Sequence, residues 1–134
     1  MEIINDFEIC EGREKIELLL QYSEQMPALP DHLKQRHESM EFVEECMTPV
    51  YVAAERDANG LHFYFDVPEE SPTVRGYASI MALGLDGTTP DQILSLPNDF
   101  YYLMGLDQVL TMQRLNGMIA IVAHVKRIAL QSLE

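Results

Sequence analysis

Apolar positions along the chain follow two rhythms, and the changes between them mark out the elements. Over residues 12–26, Ile16, Leu19 and Leu20 fall at helical spacing, Leu18 and Tyr22 widen that face, and Arg13, Glu14, Glu17 and Glu24 stay polar. Pro27 and Pro30 stop this helix. Residues 31–36 predict a short helical turn, and the polar run His37-Glu38-Ser39-Met40 leads to Phe42 and Val43. The rhythm then shortens to two. Residues 50–55 and 61–67 read as strands around Arg56-Asp57-Ala58-Asn59-Gly60, whose Asn-Gly pair is a hairpin signal. Leu61, Phe63, Phe65 and Val67 share one face, and Phe42-Val43 adds a short third strand.

From Pro72 the helical period returns. Residues 73–85 carry Val74, Tyr77, Ala78, Ile80, Met81 and Leu85. Thr89 caps and Pro90 opens a short helix running through Leu94, and residues 97–104 predict another. Residues 111–133 form a long last helix with Leu115, Met118, Ile119, Ile121, Val122, Val125 and Ile128 on its apolar side. The expected architecture is one α+β domain over residues 1–134, with a small antiparallel three-stranded sheet packed with helices.

Charge narrows the partners. Twenty-two acidic residues against nine Lys and Arg leave a net charge of −13, which repels nucleic acid and anionic lipid. No stretch has the length of a membrane span, and the N-terminus lacks the basic and apolar regions of a signal or transit peptide, so a cytoplasmic location is expected. Cys10 and Cys46 lie far apart, too few for a Cys-rich metal or cluster site. His32, His37, His62 and His124 are scattered without ligand spacing, so neither a metal nor a cofactor is expected.

Candidate chemistry therefore centres on Cys46, in Glu44-Glu45-Cys46-Met47-Thr48-Pro49 on a loop feeding a strand. A thiol reacts as thiolate, and Glu44 and Glu45 raise its pKa, which argues against a hydrolytic Cys–His site. A thiol that accepts a group from a more reactive donor needs less activation. The ordinary fate of a free cysteine is a small buried hydrophobe, and that reading weighs still more on Cys10. Arg114 read alone is a solvated helix charge, and Asn116-Gly117 permits close helix packing. The residues by themselves leave open a thiol that accepts a group from a donor, a stand-alone thiol redox protein and a non-catalytic binding module.

A longer pattern adds to this reading. Asp6-Phe7, a helix, Leu29-Pro30 and Val43…Cys46-x-Thr48-x-Val50-Tyr51 follow in order. They are joined by Leu61-His62-Phe63, Pro72-Thr73-Val74-Arg75-Gly76, Thr89-Pro90-Asp91-Gln92-Ile93-Leu94, Met104-Gly105-Leu106 and Leu110-Thr111-Met112-Gln113-Arg114-Leu115-Asn116-Gly117-Met118. In this order the set resembles the SufE family of sulfur-acceptor proteins over nearly the whole chain.

The resemblance implies a fold like that of the U-type iron–sulfur scaffolds, which hold a cluster with three cysteines; two cysteines here place the chain on the acceptor branch. It implies that Cys46 takes a persulfide sulfur from a pyridoxal-phosphate cysteine desulfurase of the SufS type, stimulates that enzyme and passes sulfur to cluster assembly, with a SufB-type subunit as recipient. The protein is then a carrier and activator rather than an independent enzyme. Arg114 and Arg75 are its implied partner contacts and a monomer its implied state; a reactive persulfide calls for an apolar cover, for which Met47, Val50, Tyr51 and Phe63 are candidates that ordinary core packing explains equally well. This chain departs from the pattern around the thiol. Many members have Gly before the cysteine and Ser and Trp after it, where this chain has Glu45, Thr48 and Tyr51 behind an acidic lead-in of Glu41 and Glu44. Such a thiol is either a slow acceptor or one activated by basic groups of the desulfurase.

Overall fold

The structure, a computed structural model, describes residues 2–133. Among these, seven α-helices surround a three-stranded antiparallel sheet: α1 Glu2–Ile9, α2 Arg13–Glu24, α3 Asp31–Gln35, β1 Glu41–Phe42, β2 Tyr51–Asp57, β3 Gly60–Asp66, α4 Pro72–Gly84, α5 Pro90–Leu94, α6 Phe100–Leu103 and α7 Met112–Gln131. The strands run as a meander in the order β1-β2-β3, with Phe42 opposite Tyr51 and Tyr51 opposite Asp66. The expected α+β class, hairpin and third strand are all present.

The period-two pattern of β3 sets which face is covered. Leu61, Phe63 and Phe65 are buried, as is Val52 across the ladder on β2, while His62, Tyr64 and Asp66 point outward and remain partly accessible. Helices α4 and α7 cover the apolar face, and α2 lies against α4. That last contact depends on Gly76. A Cβ built there would sit 2.2 Å from the Leu19 carbonyl oxygen, so α2 and α4 approach backbone to backbone where any side chain would part them.

Helix α1 was not anticipated. Its Phe7 is fully buried and stacks on Tyr22 of α2, with ring centroids 6.2 Å apart. Lys15 holds the end of α1: its buried ammonium donates to the Phe7 carbonyl at 2.6 Å and the Cys10 carbonyl at 2.7 Å, satisfying helix-end acceptors that lack intrahelical donors. Where the expected signals were local they hold. Thr89 forms a capping box with Gln92, with Pro90 at the first helical position; Thr111, not singled out as a cap, also caps α7 by accepting from the Arg114 N–H.

Gly76→Ala is expected to lower stability by about 1–3 kcal/mol or more, the range for overpacking a site bounded by backbone. A shifted denaturation midpoint at unchanged slope measures it.

Candidate functional site

The segment between β1 and β2 is a closed excursion. Val43 and Val50 are both fully buried, and the Val43 N–H donates to the Val50 carbonyl at 2.9 Å, so the six residues 44–49 leave and return through one fixed point. Cys46 lies in this loop, half-buried, and its Sγ–H donates to the Gly117 carbonyl on α7 at 3.3 Å. Gly117 permits the approach, because a Cβ there would meet Sγ at 3.2 Å. Gly117 thus serves close packing against a loop thiol rather than against a helix.

The loop has further tethers. Thr48 and Ser71 share a hydroxyl hydrogen bond of 2.8 Å, and the Gln113 amide meets the Met47 sulfur. Glu45 reaches His124 on α7, whose Nε2 lies 3.0 Å from Glu45 Oε1. The other ring nitrogen of His124 faces Glu41, and Arg127 pairs with the same Glu41 carboxylate at 2.7 Å.

Cys46 opens onto a cavity of about 220 Å³ lined by Met47 and Thr48 from its own loop, Ser71 to Val74 at the start of α4, and Gln113, Arg114 and Gly117 from the start of α7. Arg114 is exposed and donates to the Thr73 hydroxyl, so it spans the two helix starts. Two helix N-termini and a guanidinium therefore border the space beside the sulfur, an arrangement that favours an anion there. Glu70 also lines the cavity and works against it.

The thiol itself is held neutral. Burial, and then the Glu45 charge, push its pKa up to about 11. Of the two carboxylates expected to raise it, Glu45 contributes and Glu44 does not, and the larger cause is desolvation, which no neighbouring residue reveals. His124 supplies no base in this arrangement, since both its nitrogens are engaged by carboxylates.

Cys46 and Arg114 are thus brought together, and Arg75 is not. Its guanidinium donates to the Ser23 carbonyl at 3.3 Å and the Val67 carbonyl at 2.5 Å, tying α4 to the ends of α2 and β3. Of the four expected cover residues, Met47 lines the cavity. Val50 and Phe63 are core residues, and Tyr51 packs between His37 and Phe42. Pro72 and Val74 are the apolar lining that the sequence did not single out. Cys10 borders a different depression, with Lys15 and Tyr102. Among the described residues no cluster of His, Cys, Asp or Glu forms a metal site, and no helix is long and apolar enough to cross a membrane.

Comparison with known proteins decides the lineage of this arrangement. The model of the family described as "SufE: Fe-S metabolism associated domain" matches residues 1–129. The chain belongs to the SufE family. It is 41% identical over 127 residues to a SufE-like protein of Mycobacterium tuberculosis, covering 94% of this chain and 87% of that protein. It is 31% identical over 102 residues to a cysteine desulfuration protein SufE of Plasmodium vivax, covering 75% of this chain and 39% of that protein. A hypothetical protein of Thermus thermophilus, solved in solution, superposes with a TM-score of 0.85 at 30% identity, over 98% of this chain and 93% of that one.

Two outcomes are expected. In a Cys10→Ser background, alkylation of Cys46 by iodoacetamide should rise steeply with pH and reach no plateau below about 11, because the neutral thiol persists to that pH. Gly117→Ala should speed alkylation at neutral pH by about threefold, the scale of one weak hydrogen bond lost when the methyl displaces the sulfur. The same change should leave the unfolding midpoint equal or higher, since alanine favours a helix over glycine by about 1 kcal/mol.

Proposed function

We propose that this protein is a sulfur acceptor. Its Cys46 takes the outer sulfur of a persulfide on a pyridoxal-phosphate cysteine desulfurase, frees that enzyme for another turnover, and passes the sulfur to iron–sulfur cluster assembly through a SufB-type recipient. The observation that carries this reading is the Cys46 thiol at the mouth of a cavity bordered by Arg114 and two helix starts, in a family tied to iron–sulfur metabolism. The name of the Plasmodium vivax relative, a cysteine desulfuration protein, supports it.

The chemistry needs no oxidant. The Cys46 thiolate attacks the outer sulfur of the donor persulfide, a new S–S bond forms at Cys46, and the donor's S–S bond breaks to release a thiolate. The Cys46 proton goes to a basic group of the desulfurase, the step that a pKa of about 11 makes necessary. A persulfide is a stronger acid than the thiol it came from, so the product is an anion at neutral pH. The helix starts and Arg114 then stabilise it where they could not ionise the thiol. A cavity of about 220 Å³ accommodates one added sulfur, given that a water molecule occupies roughly 30 Å³.

The raised pKa also weighs against the stand-alone redox alternative. A sensor cysteine reacts with peroxide as a low-pKa thiolate, whereas Cys46 is a half-buried thiol whose pKa is pushed up to about 11. Arg114 is the partner contact this geometry favours. Arg75 remains part of the proposal as the neighbour of that face, with its hydrogen-bonding capacity largely spent on backbone carbonyls.

Alanine release from cysteine by a desulfurase of the SufS type should accelerate when this protein is added and stay at the basal rate with Cys46→Ser. Arg114→Ala should lower the stimulation by about tenfold, the scale of one desolvated charge contact, while iodoacetamide still alkylates its Cys46 at a rate close to that of the parent protein. Equal stimulation by Cys46→Ser would remove the acceptor role.

A further inference from the structure

We propose that His124 is a positioning residue for Cys46: as an imidazolium bridging Glu41 and Glu45, it clasps the 44–49 loop with the thiol turned inward. The inference rests on the acceptor reading only in that the thiol so held is the one that takes sulfur.

Geometry carries it. Nδ1 of His124 faces a Glu41 oxygen and Nε2 faces Glu45 Oε1 at 3.0 Å. An ionised carboxylate only accepts hydrogen bonds, so both nitrogens must donate, and only the doubly protonated ring carries two N–H groups. Neutral histidine would satisfy one carboxylate and turn a lone pair on the other. The extra proton belongs on the ring rather than on a carboxylate. Arg127 pairs with the Glu41 carboxylate at 2.7 Å, and the hydrogen bond from His124 holds the Glu45 carboxyl below the usual carboxylate range. Burial pulls the His124 pKa down, but the hydrogen bonds and charges of Glu45 and Glu41 outweigh it, and the net direction is up.

The bridge differs in kind from the other tethers. Cys46 to Gly117, Thr48 to Ser71 and Met47 to Gln113 are contacts between neutral groups. The His124 bridge is charge-assisted, and such bonds are about twice as strong as neutral ones. It joins α7 to the residue next to Cys46 and to β1 just before the loop's fixed point at Val43. Charged groups from the other elements against α7 face elsewhere: Arg75 of α4 meets Ser23 and Val67, Arg56 of β2 meets the Ser132 carbonyl, Glu55 meets His32, and Asp57 meets His62. Asp91 of α5 and Asp107 beside α6 are exposed, and Glu44 acts on Arg127.

The sign follows from linkage. The closed loop raises the His124 pKa, so it binds the proton more tightly than the open loop does. The clasp is complete below the ordinary histidine value of about 6.5 and is lost as pH rises through the raised closed-state value.

The test measures Cys46 alkylation by iodoacetamide against pH in the Cys10→Ser protein, with no desulfurase present, beside nuclear magnetic resonance titration of the His124 ring. Above the steady rise due to thiol ionisation, the parent protein should show an added step of roughly two- to tenfold, the worth of one net hydrogen bond, centred where the ring titrates. His124→Gln should show no step and react at low pH as the opened parent does. Glu45→Gln, at a partly exposed position, should also lose the step and serves if the His124 variant does not fold. A step that persists in either folded variant, or a ring that titrates with no step in the parent, overturns the inference. Persulfide loading by a desulfurase, run in parallel, separates the two ideas. A step without loading leaves the clasp standing and removes the acceptor reading, and loading without a step does the reverse.

Discussion

At Gly117 the backbone of α7 lies bare toward the β1–β2 loop, and the 3.3 Å contact between its carbonyl and the Cys46 sulfur organises the rest of this end of the molecule. A Cβ there would stand 3.2 Å from the sulfur, so the thiol would have to give by a few tenths of an ångström. With the loop seated, Glu45 meets His124, Thr48 meets Ser71, and a cavity remains between the starts of α4 and α7. The same seating buries the thiol and raises its pKa to about 11. Structure and restraint of the nucleophile are therefore one effect.

That restraint suits a carrier better than a catalyst working alone. A thiol kept protonated and turned toward a carbonyl resists oxidation and stray electrophiles. The surroundings that suppress the thiolate are those of a neutral state; on the proposed reading, Arg114 and the two helix N-termini favour the anion that sulfur uptake would leave. The cost is that deprotonation must come from outside, which makes the reaction depend on a partner. Glu45 then acquires two uses, raising the thiol pKa and holding the loop through His124.

Much of the fold was legible because its signals are local. The alternation of Leu61, Phe63 and Phe65, the Asn59-Gly60 turn and the Thr89-Pro90 start each depend on neighbours within a few positions. Helix α1 was not legible: it has eight residues, too few to be stable alone, and it is held by Phe7 on Tyr22 and by Lys15. The site divides the same way. Cys46 stood out by residue type and by the family pattern around it, and Arg114 by the family pattern alone. The clasp did not, because His124 lies 79 residues from Glu45 and 83 from Glu41, and nothing near it in the chain marks it. Arg75 carried a family motif, yet its guanidinium is turned to Ser23 and Val67, a direction that only tertiary packing decides.

The central claim is that sulfur comes to rest on Cys46, and intact mass tests it most directly. The protein and its Cys46→Ser variant would each be incubated with a cysteine desulfurase and cysteine, then weighed without reductant. The account predicts that the unaltered protein gains the mass of one sulfur atom, lost again on reduction, and that the variant gains none. A gain that survives in Cys46→Ser, or no gain in either with a desulfurase from the same cell, would contradict it.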